Sequence, residues 1–119
     1  MANTFTKMVP SGSTTGMGIK VVATATLGTL FHTAVSGTTN FDEIWMWLFN
    51  SDTVSHNVTI EFGDATAPDH NIVITIPPKA GLICAVPGLI LQNGLVVTVF
   101  ADAANVVTMT GYVNRITVT

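Results

Sequence analysis

Along most of the chain, apolar and polar residues alternate one by one in short segments. The clearest case is SHNVTIEFG at residues 55–63, whose apolar positions are Val58, Ile60 and Phe62. Successive side chains of a β-strand point to opposite faces of its sheet. The segment is therefore predicted to be a strand with one face in a core and one face toward water. The positions predicted to face water are Asn57, Thr59 and Glu61.

Segments of this kind recur about every 8–12 residues between Gly, Pro, Asn and Asp, and no stretch has a helical pattern. Eight or nine such strands predict an all-β fold, an antiparallel β-sandwich. Eight strands in two sheets form the jelly-roll arrangement, so we expect a jelly-roll-like sandwich. Within it, Asn93-Gly94 predicts a hairpin with a type I′ turn. Gly111 predicts a bulge or bend in the last strand.

One segment departs from the alternation, because all six residues of IWMWLF at 44–49 are apolar. A strand here would place Ile44, Met46 and Leu48 on one face. The opposite face would carry Trp45, Trp47 and Phe49. We expect the first face to fill the core and the second to pack against a neighbouring subunit or another protein. A sugar-stacking platform is the alternative for the two tryptophans, but their apolar neighbours offer no polar group to orient a sugar.

The first 18 residues, MANTFTKMVPSGSTTGMG, are rich in Ser, Thr and Gly. They predict a flexible N-terminal arm over residues 1–18, followed by a single β-sandwich domain over residues 19–119. Four apolar residues of the arm are spaced so that a groove in a partner could bury them one by one: Phe5, Met8, Val9 and Met17. The arm could then add an edge strand to a neighbour's sheet. A tail without a role is the alternative.

The composition is unusual in its low charge. The 119 residues are 48% hydrophobic and only 9% charged, whereas about 25% is typical. Such a surface suits a protein that contacts other proteins, because interface cores are depleted of charge. A β protein with uncharged polar strands explains it equally well. The net charge is −3 and the four Lys and Arg residues are scattered, so we expect no nucleic acid partner.

No pattern in the chain indicates catalysis. His32, His56 and His70 do not have the spacings that metal sites use, so each is expected at the surface or on an edge strand, with no metal and no cofactor. No Ser lies in a G-x-S-x-G turn. Asp42 and Glu43 are expected to flank the apolar strand as gatekeepers against aggregation. The sequence therefore predicts that the protein is not an enzyme.

The cysteine and the chain's hydropathy indicate where the protein is made. Cys84 is the only cysteine and lies within GLICAVPG. Its apolar neighbours predict a buried and unreactive thiol, and a lone cysteine excludes an internal disulfide. The N-terminus lacks a signal peptide's apolar stretch, and no run is long enough for a membrane span. We expect synthesis in a reducing cytoplasm and no association with a membrane.

The C-terminal half contains three segments that together resemble small structural proteins of tailed bacteriophages. They are IPPKAG at 76–81, PGLILQNGL at 87–95 and VFADAANVVTMTGYVNRI at 99–116. The resemblance covers residues 72–119, with a weaker portion at 49–63. It implies a short β-sandwich or jelly-roll module of the virion, and it supplies no catalytic residues.

This resemblance implies a capsid cement or decoration protein that binds the shell as a homotrimer and stabilises it. Its partners would be the major capsid protein or other virion proteins. It would be located on the capsid surface of the virion, after assembly in the host cytoplasm. The expected interface residues are Trp45, Trp47, Phe49, Phe5, Met8 and Val9. The alternative is a tail, neck or fibre β-module that binds a host glycan or another virion protein.

Overall fold

The computed structural model describes residues 2–119, and this range contains nine β-strands and no helix. The predicted all-β fold is confirmed. The strands are β1 (Thr4–Met8), β2 (Ile19–Lys20), β3 (Thr29–Thr33), β4 (Phe41–Asn50), β5 (His56–Gly63), β6 (Asn71–Ile76), β7 (Ile83–Leu91), β8 (Val96–Ala101) and β9 (Val107–Thr117).

The strands form two antiparallel sheets that pack as a sandwich. The first sheet has the order β1-β9-β4-β7, with β2 also paired to β9, and the second has the order β3-β8-β5-β6. Without β1, each sheet has four strands, and consecutive strands alternate between the sheets except at the β5–β6 hairpin. This strand order is that of a jelly roll, as predicted.

The two-faced character predicted for the apolar strand is confirmed in β4. Ile44, Met46 and Leu48 are completely buried, and the residues between them are half-buried on the outer face. The inward residues pack in one cluster with side chains of the second sheet, which include Phe31, Val58, Ile60, Val97 and Val99. One face of β4 therefore fills the core.

The Asn93-Gly94 turn has the predicted backbone but not the predicted pairing. Both residues have positive φ, 62° and 66°, as a type I′ turn requires. However, β7 and β8 lie in different sheets, so the predicted hairpin is wrong. The turn instead bonds to the β3–β4 connection, because Asn93 N–H donates to Gly37 O (2.8 Å) and Gly94 N–H to Val35 O (2.9 Å). Local turn chemistry fixed φ here, and the sandwich topology fixed the pairing.

Gly111 allows a close approach of two strands. Its φ is 153°, and a Cβ atom at this position would overlap the carbonyl oxygen of Trp45. The pairing of β9 with β4 continues without a register shift at Gly111 and Met46. The bulge predicted at this position is therefore not present in that pairing, and the glycine is needed for backbone contact.

The N-terminal segment lies against its own domain. Thr4–Met8 pairs with β9 as an edge strand. Further along, Gly12 N–H donates to Phe31 O (2.9 Å), and Ser11 Oγ accepts from Thr33 N–H (2.7 Å). Residues 10–13 thereby cover the free edge of β3. The mobility predicted for residues 1–18 stays a prediction.

Asp42 is buried, contrary to the gatekeeper expectation, because it lies on the inward face of β4. Its carboxylate accepts two hydrogen bonds from Arg115 (2.8 and 2.9 Å) and one from Val35 N–H (3.0 Å).

His32 lies on edge strand β3, but its side chain is buried. Ser11 N–H donates to its Nδ1 (3.0 Å), so Nε2 carries the hydrogen and donates to Asp42 (2.7 Å). Burial would raise the pKa of Asp42, but the hydrogen bonds from Arg115 and His32 lower it.

The expectation that every histidine lies at the surface or on an edge strand is wrong for His56, because β5 lies between β8 and β6. Its ring is nearly buried between two carboxylates, with Nε2 2.7 Å from Asp52 and Nδ1 2.5 Å from Asp102. Hydrogen bonds to Asp52 and then to Asp102 raise the pKa of His56. His70 is exposed and contacts Asp64, as expected for a surface residue.

Glu61 was expected to face water, yet it is completely buried. It does lie on the outer face of β5, but the connection between β2 and β3 covers it. Its carboxylate accepts from Thr26 Oγ1 (2.6 Å), Gly28 N–H (2.8 Å) and Thr98 Oγ1 (2.6 Å). Desolvation would raise the pKa of Glu61, and these three hydrogen bonds lower it. Hydrogen bonds alone therefore satisfy a buried carboxylate here.

We predict that Gly111→Ala destabilises the fold. Strained backbone at positive φ costs about 1–3 kcal/mol, and the new methyl group would also push β9 away from β4. Gly37→Ala is the matched control, because Gly37 has φ of 78° but nothing within 4 Å of its added Cβ. Urea unfolding should give a larger loss of free energy for Gly111→Ala than for Gly37→Ala. Equal losses would contradict the close-approach argument.

We predict that Asp42→Ala lowers the free energy of unfolding by about 1–3 kcal/mol, because it leaves the Val35 N–H and the buried His32 without their acceptor and removes the partner of the half-buried Arg115. Asp64→Ala, at an exposed ion pair with His70, should change stability little. Since the folded-state pKa of Asp42 is lowered, its contribution is present above the unfolded carboxyl pKa of about 3.9 and is lost as pH falls below that value. Denaturant titrations at pH 7 and pH 3 should show the Asp42→Ala deficit shrink in acid. A deficit that stays constant would argue against this role.

Candidate functional site

Three aromatic rings cluster on the outer face of the first sheet. The ring centroids of Trp45 and Trp47 are 6.0 Å apart, and Tyr112 lies 6.1 Å from the first and 6.0 Å from the second. The planes of each pair are inclined by 17° to 29°. Nearly equal distances make a compact triangle, not a row. We call these three residues the aromatic cluster.

The strand register brings the three rings together. Trp45 and Trp47 are two positions apart on β4, so they share a face. Tyr112 on β9 is paired directly with Trp45. Aromatic pairs of this kind contribute about 0.5–1.5 kcal/mol beyond their buried area. Tyr112 was not among the residues predicted for this surface. Its alternation with Val113 indicated an outward side chain, but its neighbours depend on the register.

Polar side chains border the aromatic cluster on one side. Glu43 Oε1 accepts a hydrogen bond from Trp45 Nε1 (2.7 Å) and one from Asn114 Nδ2 (3.2 Å). These two bonds, that from Trp45 first, lower the pKa of Glu43. From β1, the Lys7 ammonium lies 4.6 Å from the centroid of the Tyr112 ring, a cation–π contact. The cluster thus has a charged border of both signs.

The predicted interface residues do not all lie on this face. Phe49 follows the two tryptophans on the outer face of β4, where it lines a depression with Leu82 and Lys79. Phe5 is 70% exposed and shares its face of β1 with Lys7. Met8 points the other way and is half-buried against the core. Val9 follows the end of β1 and is 42% exposed. The structure therefore groups the two tryptophans, Phe49 and Phe5, and separates Met8 from them.

Cys84 is exposed, so the prediction of a buried thiol is wrong. The reason is a register shift between β4 and β7. Met46 is opposite Val86, whereas Trp47 is opposite Cys84, which leaves Ala85 as an extra residue. Such a bulge reverses the alternation of faces. Val86 therefore points into the core, and Cys84 points out on the same face as Trp47.

The rest of the described chain offers no metal site. Within residues 2–119, no group of three or more His, Cys, Asp and Glu side chains could hold a metal ion. No helix in this range is long and apolar enough to cross a membrane. The aromatic cluster and its border offer apolar area and a few orienting polar groups, which is the chemistry of a binding surface.

Comparisons of the chain with protein-family models, with curated proteins and with solved structures find no match. The function must therefore be argued from the surface itself and from the sequence resemblance.

We predict that Cys84 in the folded monomer, diluted until it no longer associates, reacts with a maleimide at a rate close to that of the unfolded chain, because its side chain is exposed. The matched control is Val86→Cys in a Cys84→Ser background, where the thiol replaces a completely buried side chain. That variant should react only on unfolding. Mass spectrometry of timed samples measures both rates. Protection of Cys84 in the monomer would contradict the bulge at Ala85.

Proposed function

We propose that this chain is a bacteriophage virion structural protein, a capsid cement or decoration protein that binds the shell as a homotrimer and stabilises it. The observation that carries the proposal is the half-buried aromatic cluster on the outer face of the first sheet. Contiguous apolar area left open on a folded domain marks a site of contact with another molecule. The resemblance of the C-terminal half to small phage structural proteins supports the choice of partner.

The composition of the outer face supports a protein partner. Protein interfaces have a core enriched in Trp, Tyr and Phe and a polar border. Here Trp45, Trp47 and Tyr112 form the centre, and Lys7 and Glu43 lie at one side. Tryptophan and tyrosine are also the residues that most often dominate binding energy at interface centres.

The proposed contact surface includes Trp45, Trp47, Phe49 and Phe5. Met8 already packs against the core of its own chain, so we leave it out of the surface. The partners would be neighbouring copies in the trimer and the major capsid protein, and the protein would stand on the capsid surface. The three-fold arrangement is taken from the resemblance.

A glycan-binding tail, neck or fibre module is the second candidate. Glu43 and Asn114 lie beside the rings, so the face does contain polar groups that could orient a sugar. However, Glu43 Oε1 already accepts from Trp45 and Asn114. The three rings also lie against one another, which leaves less open ring face for stacking. These two features favour a protein partner.

We predict that Trp47→Ala weakens binding to empty capsids by about 30-fold or more, since truncating an interface hot spot costs at least about 2 kcal/mol. Phe5→Ala should also weaken binding, and with its side chain 70% exposed it should leave the fold unchanged. Val54→Ala, at an exposed loop residue, is the control. Co-sedimentation with capsids measures affinity, and light scattering of the free protein should give the mass of three protomers or a whole multiple of it.

The same surface can be monitored through Cys84, which lies opposite Trp47. Its reaction with maleimide should slow when the protein is bound to capsids. Undiminished labelling of bound protein, or unaltered capsid affinity of both aromatic variants, would refute this docking surface. Retention of the protein on host polysaccharide, lost in Trp47→Ala, would support the glycan module instead.

A further inference from the structure

The edges of the two sheets differ in how they are protected from pairing with another chain. Unprotected edge strands are templates for pairing, and proteins blunt them with Lys, Pro, bulges or covering loops. On the first sheet, β1 and β2 carry Lys7 and Lys20, and β7 contains Pro87 and two register shifts. On the second sheet, residues 10–13 cover β3.

β6 has none of these protections. Its sequence, NIVITI, contains no charge and no proline, and its pairing with β5 is unbroken. It pairs with no other strand of the described chain. Val73, at its middle, is 65% exposed. An uncharged, regular and β-branched edge of this kind favours addition of another strand.

Hydrogen-bonded and outward-facing residues alternate along β6. This alternation shows which backbone N–H and C=O groups could bond to another chain. Phe62 N–H donates to His70 O (2.9 Å) just before the strand. Because bonded pairs alternate in an antiparallel ladder, Ile72, Ile74 and Ile76 bond to β5. The intervening residues direct N–H and C=O to the open side. Asn71 N–H is already used by Pro68 O (3.2 Å). Val73 and Thr75 therefore hold the available donors and acceptors.

We propose that β6 pairs antiparallel with β6 of a second copy of this chain, with Val73 of each copy opposite Thr75 of the other. This register makes four hydrogen bonds, all from the available groups. At the next bonded position, Asn71 would face Pro77, which has no N–H to donate. Since the Asn71 N–H is bonded within its own chain, neither residue contributes an unpaired donor.

The side chains of the strand also match in this register. Ile72 would lie opposite Ile76, and Ile74 opposite its own copy, all on the core side. Directly opposite residues of an antiparallel pair share a face, so apolar meets apolar. No like charges meet, because the strand carries none. The two-fold contact is closed, since each edge covers the other and none is left to recruit a further copy.

This contact goes beyond the proposed capsid function and does not depend on it. β6 belongs to the second sheet, whereas the aromatic cluster lies on the first. Both surfaces could therefore be used at once. Free protein would then be a dimer if only β6 associates, and a pair of trimers if the aromatic face also does.

Val73→Lys tests the proposal, because it places an ammonium group at the centre of the open edge without entering the core. We expect the mass from analytical ultracentrifugation to halve relative to the wild type. Val73→Pro should do the same, because it removes a donor that points away from β5. Val54→Lys is the matched control, at a valine that is 56% exposed in a loop, and its mass should not change. Circular dichroism checks that each variant is folded.

Hydrogen exchange gives an independent readout. The amides of Val73 and Thr75 should exchange more slowly as protein concentration rises, and this protection should vanish in folded Val73→Lys. A wild type that is monomeric, or a mass that Val73→Lys leaves unchanged, would overturn the proposal. A trimer that Val73→Lys does not alter would overturn it while leaving the capsid function standing.

Discussion

The register of β4 is the constraint on which the rest of the structure depends. This strand lies between β9 and β7, and its inward positions alternate strictly with outward ones. A slip by one residue would bring the tryptophans into the core and expose the aliphatic residues. Polar residues hold both ends of the strand. Asp42 bonds to Arg115, and the Asn50 side chain donates to the carbonyl oxygens of Val54 (2.8 Å) and Ile76 (3.0 Å).

These buried polar groups also connect the two sheets and their loops. Asp42 on the first sheet bonds to His32 on the second, and Asn50 bonds to the last residue of β6. Glu61 holds the connection between β2 and β3 against the outer face of β5 through Gly28. A satisfied polar network specifies one arrangement, because each alternative leaves a buried group without a partner. The polar contacts therefore select the topology, and the apolar cluster supplies most of the driving force.

The amino-acid pattern predicted the fold class and the two faces of β4, because alternation is a local signal. The pattern failed where contacts between residues distant in sequence decide whether a side chain is buried. Asp42 can be buried because it pairs with Arg115. That residue lies 73 positions further along the chain, so the local pattern around Asp42 does not reveal the pair. Cys84 is outside because a bulge reverses the phase of β7, and alternation cannot reveal an inserted residue. Of the candidate site, the two tryptophans and Phe49 were found together. Tyr112 was missed because its place beside Trp45 follows from strand register.

The low charge of the chain has a structural consequence for its surface. Of seven Asp and Glu residues, six accept hydrogen bonds within the chain. These acids therefore act as fixed acceptors that hold loops and strands. The outer faces are left mainly to Thr, Asn, aromatic and aliphatic groups, whose burial against a partner requires little desolvation of charge. Long-range electrostatic steering contributes little for such a protein. Contacts made by these faces must rest on shape, apolar area and backbone pairing, which suits durable assembly more than rapid exchange of partners.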